Sequence, residues 1–239
     1  MKHLIESGDA KVVVSSVGAT ILSFRIGDEV ILYPWQRTLE GKERGGCPLC
    51  VPWFGLAPEF GKKKHGYLRD LEATTVTKNK EGNQLEFGFY HPGCAEYPWA
   101  LSYKVKYSLK ESSLSIFLFV ERKSDGIAAP APINIGFHPY FDGNAEDAFL
   151  IVNNSMALSG FSEKSTTISN VNSVSIEKKR HKILIETGQG STLVCWSDNP
   201  EKYFCVEPVL TEKAFFNTPQ GKSLGVGQAE SMMMILSVI

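Results

Sequence analysis

Short alternating runs of apolar and polar residues recur along the chain. They predict β-strands, because apolar side chains at every second position suit a sheet with one buried face. The clearest case is residues 101–109, followed across a polar turn by residues 114–120, and this pair predicts a hairpin. Further strands are predicted at residues 11–15, 19–24, 30–33, 74–77, 84–90, 149–152, 183–186, 192–196, 203–206 and 232–239.

The order of these strands predicts an all-β fold. No helical period of 10 to 15 residues lies between two strands, and clusters of Gly, Asn, Ser and Pro separate the runs. This arrangement favours antiparallel sheets packed as a large β-sandwich, in a single domain over residues 1–239. Residues 155–175, rich in Ser, Asn and Thr, are expected to form a loop with one or two weak strands.

Composition narrows the possible partners. Of 239 residues, 43% are hydrophobic, which is enough for a large core, and a net charge of -1 gives no overall attraction to nucleic acid or anionic membrane. There is no apolar run of about 18 residues, and the N-terminal residues lack the basic-then-apolar order of a signal peptide. A cytoplasmic protein with no membrane or nucleic-acid partner is therefore expected.

Five cysteines do not suggest a disulfide framework. Cys47 and Cys50 have the C-x-x-C spacing of a redox pair or of half a zinc site. A closed zinc site needs a second pair, and the other cysteines are isolated in the sequence. Burial as small hydrophobic residues is therefore favoured, and no metal is expected.

His138 is the first candidate for chemistry. It follows a short β-type run, and Pro139 cannot donate to a central ladder, so the strand is predicted to end here and leave His138 at a rim. The alternative is a core histidine whose ring nitrogens bond to backbone.

Glu207 is the second candidate, at the end of the apolar run 203–206 and beside Pro208. A carboxylate can act as base while a protonated histidine acts as acid, provided that both reach one substrate. The alternative for Glu207 is a salt bridge at the rim.

A third group of candidates lies in residues 37–70, predicted to be a long functional loop. Arg44, His65 and Arg69 could hold an anion, with the Gly45-Gly46 pair letting backbone amides approach it. The adjacent lysine run at residues 62–64 is interpreted as a solvated loop tip. Aromatic residues could form an apolar platform for a sugar ring, although they are more often core: Trp53, Phe54, Tyr67, Phe137 and Tyr140.

Taken together and in order, these motifs resemble the aldose 1-epimerase (galactose mutarotase) superfamily, and within it the hexose-6-phosphate mutarotase branch. The similarity is carried by residues 44–55 leading into 65–70, by Gly-Phe-His-Pro-Tyr-Phe at 136–141, and by Cys-Val-Glu-Pro at 205–208. Residues 96–99 give a weaker fourth match.

The resemblance implies a galactose mutarotase-like supersandwich and a reaction without a cofactor. It implies that Glu207 removes the proton of the sugar C1 hydroxyl while His138 protonates the ring oxygen. His65 would orient the substrate, and Arg44 and Arg69 would hold sugar hydroxyls or a 6-phosphate. No motif supplies the sugar-binding aspartate of the galactose-type enzymes, and Asp142, Asp147 and Asp198 all stay open.

The expected activity is therefore an aldose mutarotase that acts on a sugar or sugar phosphate. One alternative is a non-catalytic sugar-binding protein on the same fold, which would not need both His138 and Glu207. Another is a glycosidase, which normally needs two carboxylates. The sequence does not predict the oligomeric state.

Overall fold

The computed structural model describes residues 1–158, 161–179, 181–211 and 221–239. Its first twelve strands are β1 (Lys2–Ser7), β2 (Ala10–Ser15), β3 (Ile21–Ile26), β4 (Glu29–Leu32), β5 (Gln36–Arg37), β6 (Glu43–Arg44), β7 (Leu49–Cys50), β8 (Thr75–Lys78), β9 (Gln84–His91), β10 (Leu101–Lys110), β11 (Ser113–Arg122) and β12 (Ala131–Ile133).

The remaining strands are β13 (Gly136–Phe137), β14 (Tyr140–Asp142), β15 (Phe149–Val152), β16 (Met156–Leu158), β17 (Thr166–Glu177), β18 (Lys182–Trp196), β19 (Tyr203–Val209), β20 (Lys222–Leu224) and β21 (Ala229–Val238). Three single-turn 3-10 helices lie at Pro58–Phe60, Leu68–Asp70 and Ala145–Asp147. No α-helix occurs among the described residues, and none of their helices is long and apolar enough to cross a membrane.

Antiparallel pairing connects twelve strands in one series. The order is β8, β9, β10, β11, β21, β18, β19, β14, β4, β3, β2 and β1. β17 pairs with β18 and with β15, while β13 joins β19 to β7. The predicted all-β, antiparallel architecture is confirmed.

The two ends of this series pack against each other as two layers. The rings of His3 on β1 and Phe87 on β9 lie 5.5 Å apart, and the Tyr107 hydroxyl on β10 donates to the carbonyl of Ala19. The buried side chains of both layers form one cluster, so the core lies between β1–β3 and β9–β11. This packing confirms the predicted sandwich.

The predicted hairpin is present as β10 and β11. The two strands pair without interruption from Leu101–Arg122 to Lys110–Ser113. Glu111 adopts a left-handed conformation in the two-residue turn, with φ of 52°. Every second residue of β10 is buried, as the alternation predicts.

Residues 155–158 and 161–175 are more regular than predicted for the segment 155–175, whose residues 159 and 160 lie outside the described part of the chain. β17 is twelve residues long and pairs on both sides, with β15 and with β18. Its register shifts between Ile168 and Val171, and Asn170 has φ of 60°. This irregularity breaks the apolar alternation, which is why the sequence did not reveal the strand. β1 was not predicted either.

A substitution at Tyr107 tests the packing of the two layers. Its hydroxyl is buried, and its removal leaves the Ala19 carbonyl without this donor. We expect Tyr107→Phe to lower the free energy of unfolding in urea by about 1–3 kcal/mol. Tyr90→Phe is the control, because the Tyr90 side chain is exposed and should change stability little. Equal effects would contradict the inferred role of this hydrogen bond.

Candidate active site

The pairing of β19 with β13 and β14 places His138 opposite Glu207. Gly136 pairs with Val209 before Pro139, and Tyr140 pairs with Cys205 after it. Both pairs have the same register. In the gap between these two pairs, His138 therefore lies opposite Glu207. Directly opposed antiparallel residues have Cβ atoms about 4.5–5.5 Å apart, close enough for their side chains to meet.

The two candidate acid–base groups are in contact and buried. Nδ1 of His138 lies 3.5 Å from Oε1 of Glu207, and the residues are 7% and 2% exposed. His138 therefore lies inside the fold rather than at a rim, since β14 resumes the sheet after Pro139. Glu207 lies within β19 rather than at its end, because the strand continues to Val209.

Aromatic rings fix the orientation of the His138 imidazole. The Tyr140 ring stacks on it, with centroids 4.8 Å apart and an interplanar angle of 6°. Trp196 presents its ring at 86° to the imidazole, with centroids 6.0 Å apart. The Trp196 indole N–H donates to the carbonyl of Glu163, which holds this ring in place. The imidazole is thus enclosed by aromatic surfaces, and Nδ1 makes no hydrogen bond to any described residue.

His65 approaches the same centre from a different segment. Its ring centroid lies 5.1 Å from that of His138, and its Nδ1 accepts a hydrogen bond from the Gly55 amide. His65 and Gly66 both have positive φ, at 64° and 69°. A Cβ at Gly66 would lie 2.1 Å from the Val51 carbonyl oxygen, so this turn requires glycine.

Arg44 is held by a two-point contact with Asp198. Its Nε lies 3.0 Å from Oδ2 of Asp198, its Nη2 also donates to that oxygen, and its Nη1 donates to the carbonyl of Glu43. The guanidinium lies over the Trp196 ring, 5.6 Å from its centroid. Although burial opposes its ionisation, the pKa of Asp198 is lowered by hydrogen bonds from Arg44 and Tyr203. Asp198 therefore positions Arg44.

Arg69 has a simpler contact. It follows Leu68 in a 3-10 turn, and its Nη2 donates to Oε2 of Glu43 at 3.2 Å. Lys63 points to Asp70 and lies over the Tyr67 ring, while Lys64 faces the cavity described next. Lys64 therefore lies at the site, although the lysine run to which it belongs was interpreted as a solvated loop tip.

These groups line a cavity of about 810 Å³, a size typical of small-molecule sites. Among the described residues, five basic and three acidic side chains line it together with the two histidines. The lining includes all but one of the predicted site residues, namely Arg44, Phe54, His65, Arg69, His138, Tyr140 and Glu207.

Trp53 is the exception, and this prediction is corrected. Trp53 is 0% exposed and packs against Phe60, Tyr67 and Tyr97, away from the cavity. Its indole N–H donates to the carbonyl of Lys63, so it anchors the loop from within the core. In an all-β chain the sequence does not distinguish a core aromatic residue from a cavity-lining one.

The predicted role of the glycine pair is also corrected. A Cβ at Gly46 would lie 1.9 Å from the Ile21 carbonyl oxygen, and one at Gly45 would lie 2.3 Å from that of Pro34. The Gly46 amide donates to the Tyr33 carbonyl at 2.7 Å. Close contact between backbone segments therefore requires these glycines, and the Gly46 amide is engaged within the protein.

Comparisons with known proteins identify the family and the fold of this chain. The sequence profile of the family described as aldose 1-epimerase matches residues 1–172. The chain belongs to the aldose 1-epimerase family. A Salmonella typhimurium protein provisionally named glucose-6-phosphate 1-epimerase is 34% identical over 76 residues. That match covers 30% of this chain and 26% of the relative, so the chain spans about a quarter of the curated relative.

Solved structures show the same fold at low sequence identity. A Synechocystis sp. PCC 6803 protein has a TM-score of 0.83 and 20% identity, over 100% of this chain and 95% of its own. A galactose mutarotase related enzyme from Lactobacillus acidophilus has a TM-score of 0.79 and 19% identity, over 100% and 97%. These similarities establish the galactose mutarotase-like sandwich.

Some cavity residues of this epimerase-family chain were not predicted. Trp196 was assigned only to a strand end, and Lys64 and Glu43 were given no role at the site. The signal for Trp196 in the sequence is its place at the end of a predicted strand, directly before the polar residues Ser197 and Asp198. Of the three candidate aspartates, the structure brings Asp198 beside the cavity through Arg44.

The environment of His138 favours its neutral form. Burial lowers the pKa of His138 well below its ordinary value, and His65, Arg69 and Arg44 act in the same direction. Below about pH 6.5, the unfolded chain therefore binds a proton at this position that the folded protein does not. The free energy of unfolding therefore decreases as the pH falls below about 6.5, and it increases again as the pH rises back to this value.

We expect this effect in the pH dependence of unfolding. Between about pH 7 and about pH 5, the wild-type protein should lose more of its free energy of unfolding than His138→Gln, which has no titrating ring. Urea denaturation at several pH values measures the difference. Parallel curves for the two proteins would show that His138 is not held neutral by its surroundings.

Proposed function

We propose that this protein interconverts the α and β anomers of an aldohexose, and that hexose 6-phosphates are its preferred substrates. The observation that carries the proposal is the contact between His138 and Glu207 in a cavity lined by basic and aromatic side chains. Membership of the aldose 1-epimerase family supports the same reaction class.

In the proposed mechanism, Glu207 accepts the proton of the C1 hydroxyl while His138 donates a proton to the ring oxygen. The C1–O5 bond breaks, and the open-chain aldehyde forms. Rotation about C1–C2 and closure on the other face then invert the anomeric centre, with the two residues exchanging roles. Only protons move between protein and sugar, so the reaction needs no redox partner.

The low pKa of His138 makes its protonated form a strong acid. The imidazolium is disfavoured in the empty cavity, so a bound group that adds negative charge would favour it. An anionic substrate supplies this charge. The stacked Tyr140 ring and the edge of Trp196 keep the imidazole oriented for proton transfer.

The cavity charges support a phosphorylated substrate. Arg44 already donates from Nε, Nη1 and Nη2 to protein acceptors, whereas Arg69 donates to Glu43 from Nη2. We therefore assign phosphate binding to Arg69 with Lys64, and contacts to sugar hydroxyls to Arg44. His65 and Phe54 would bound the sugar ring. The name of the Salmonella relative also refers to glucose 6-phosphate.

A non-catalytic sugar-binding protein is the alternative function. Sugar binding by stacking and hydrogen bonds does not require a buried carboxylate in contact with a buried imidazole. Burying such a pair costs free energy unless its groups are fully hydrogen-bonded, and a protein that only binds a sugar gains nothing in return for that cost. The proposal of catalysis rests on this argument.

Glu207→Gln tests the proposed base. We expect the substitution to lower the rate of anomer exchange by about 10²–10⁴-fold, because the amide cannot accept the proton. Two-dimensional exchange NMR on glucose, galactose and glucose 6-phosphate measures this rate. Glu121→Gln is the control, as Glu121 is outside the cavity lining. An unchanged rate in a folded Glu207→Gln protein would eliminate Glu207 as the base.

Arg69→Gln tests the phosphate assignment. A hydrogen bond to a charged group contributes about 1.5–3 kcal/mol, so KM for glucose 6-phosphate should rise by about 10- to 150-fold. KM for glucose should change little. Lys62→Gln is the control, since Lys62 lies in the same loop but outside the cavity lining. An equal rise for both sugars would argue against phosphate binding by Arg69.

A further inference from the structure

Cys205 forms part of the same cross-strand group as the acid–base pair. Side chains alternate along β19, so Cys205 and Glu207 share the face that carries Tyr203. Tyr140 is opposite Cys205, and His138 is opposite Glu207. Three residues of this four-residue group therefore have side chains of a type that binds metal ions: His138, Cys205 and Glu207.

The donor atoms are close together and buried. One ligand atom from each of the three residues lies within 4.8 Å of the others, and all three residues are buried. Nδ1 of His138 makes no hydrogen bond to any described residue, although it is more than nine-tenths buried. A nitrogen in this situation can donate its lone pair to a cation.

The distances fit a tetrahedral ion. Zinc binds His nitrogen at about 2.0–2.1 Å and carboxylate oxygen at about 2.0–2.2 Å, so two such ligands lie roughly 3.4 Å apart. The His138–Glu207 separation is 3.5 Å. A thiolate at about 2.3 Å from zinc lies roughly 3.6 Å from the other ligands. The donor atoms here lie within 4.8 Å of one another, so the Cys205 sulfur must come closer to the other two donors by up to about 1.2 Å.

We propose that His138, Cys205 and Glu207 bind one Zn²⁺ ion or a similar thiophilic divalent cation. Cys205 loses its thiol proton to solvent when the metal–sulfur bond forms, and His138 and Glu207 line the cavity from which water would supply the fourth ligand. The ion occupies both proton-transfer groups, so it is an inhibitor of the proposed reaction rather than a cofactor.

Cd²⁺ provides the direct test, because a thiolate ligand gives a ligand-to-metal charge-transfer band in the ultraviolet. We expect the wild-type protein to develop this band and to saturate at one equivalent, and Zn²⁺ to displace the cadmium. Cys205→Ala should abolish the band. Cys195→Ala is the matched control, because Cys195 is buried on the neighbouring strand and is not one of the clustered ligands.

A second variant covers the case in which Cys205→Ala does not fold. Glu207→Gln keeps the thiol, and it should weaken Zn²⁺ binding in calorimetry by at least about 100-fold, since changes outside the ligand shell already cost about 10- to 100-fold. No binding near one equivalent by the wild type, or a band that persists in Cys205→Ala, would overturn the proposal. These readouts do not depend on sugar turnover, so their failure leaves the epimerase proposal unaffected.

Discussion

The register between β19 and the two short strands β13 and β14 is the constraint on which the site depends. Pro139 interrupts the ladder, yet the pairs on either side of it have the same register. Because side chains alternate across a sheet, a slip by one residue would move His138 to the opposite face from Glu207. The sheet therefore determines the distance between the two groups.

Burial gives this pair properties that an exposed pair would lack. It disfavours the charged imidazole, and it lowers the effective dielectric constant around the contact between imidazole and carboxylate. The same burial places the neutral His138 nitrogen, the Cys205 thiol and the Glu207 carboxylate close together, where they could bind a metal ion. The proposed proton transfer and the proposed metal binding thus use one cluster of donors, and each would exclude the other.

The arginines of the cavity differ in their surroundings. Arg44 is fixed by Asp198 and by the face of Trp196, so it forms a rigid part of the wall. Within the described part of the chain, the Arg69 guanidinium donates to a single carboxylate, that of Glu43. An anion can compete with a single carboxylate more readily than with a two-point contact, which makes the second arginine better suited to ligand exchange.

The sequence by itself indicated the strand alternation, the antiparallel sandwich and the candidacy of His138 and Glu207, because period-two burial and short motifs are local. It did not determine the length of β17, since a bulge at Asn170 disrupts the alternation. Only the tertiary structure placed Trp53 in the core and brought Asp198 to Arg44. Those outcomes depend on contacts between segments far apart in the chain, which no local pattern records.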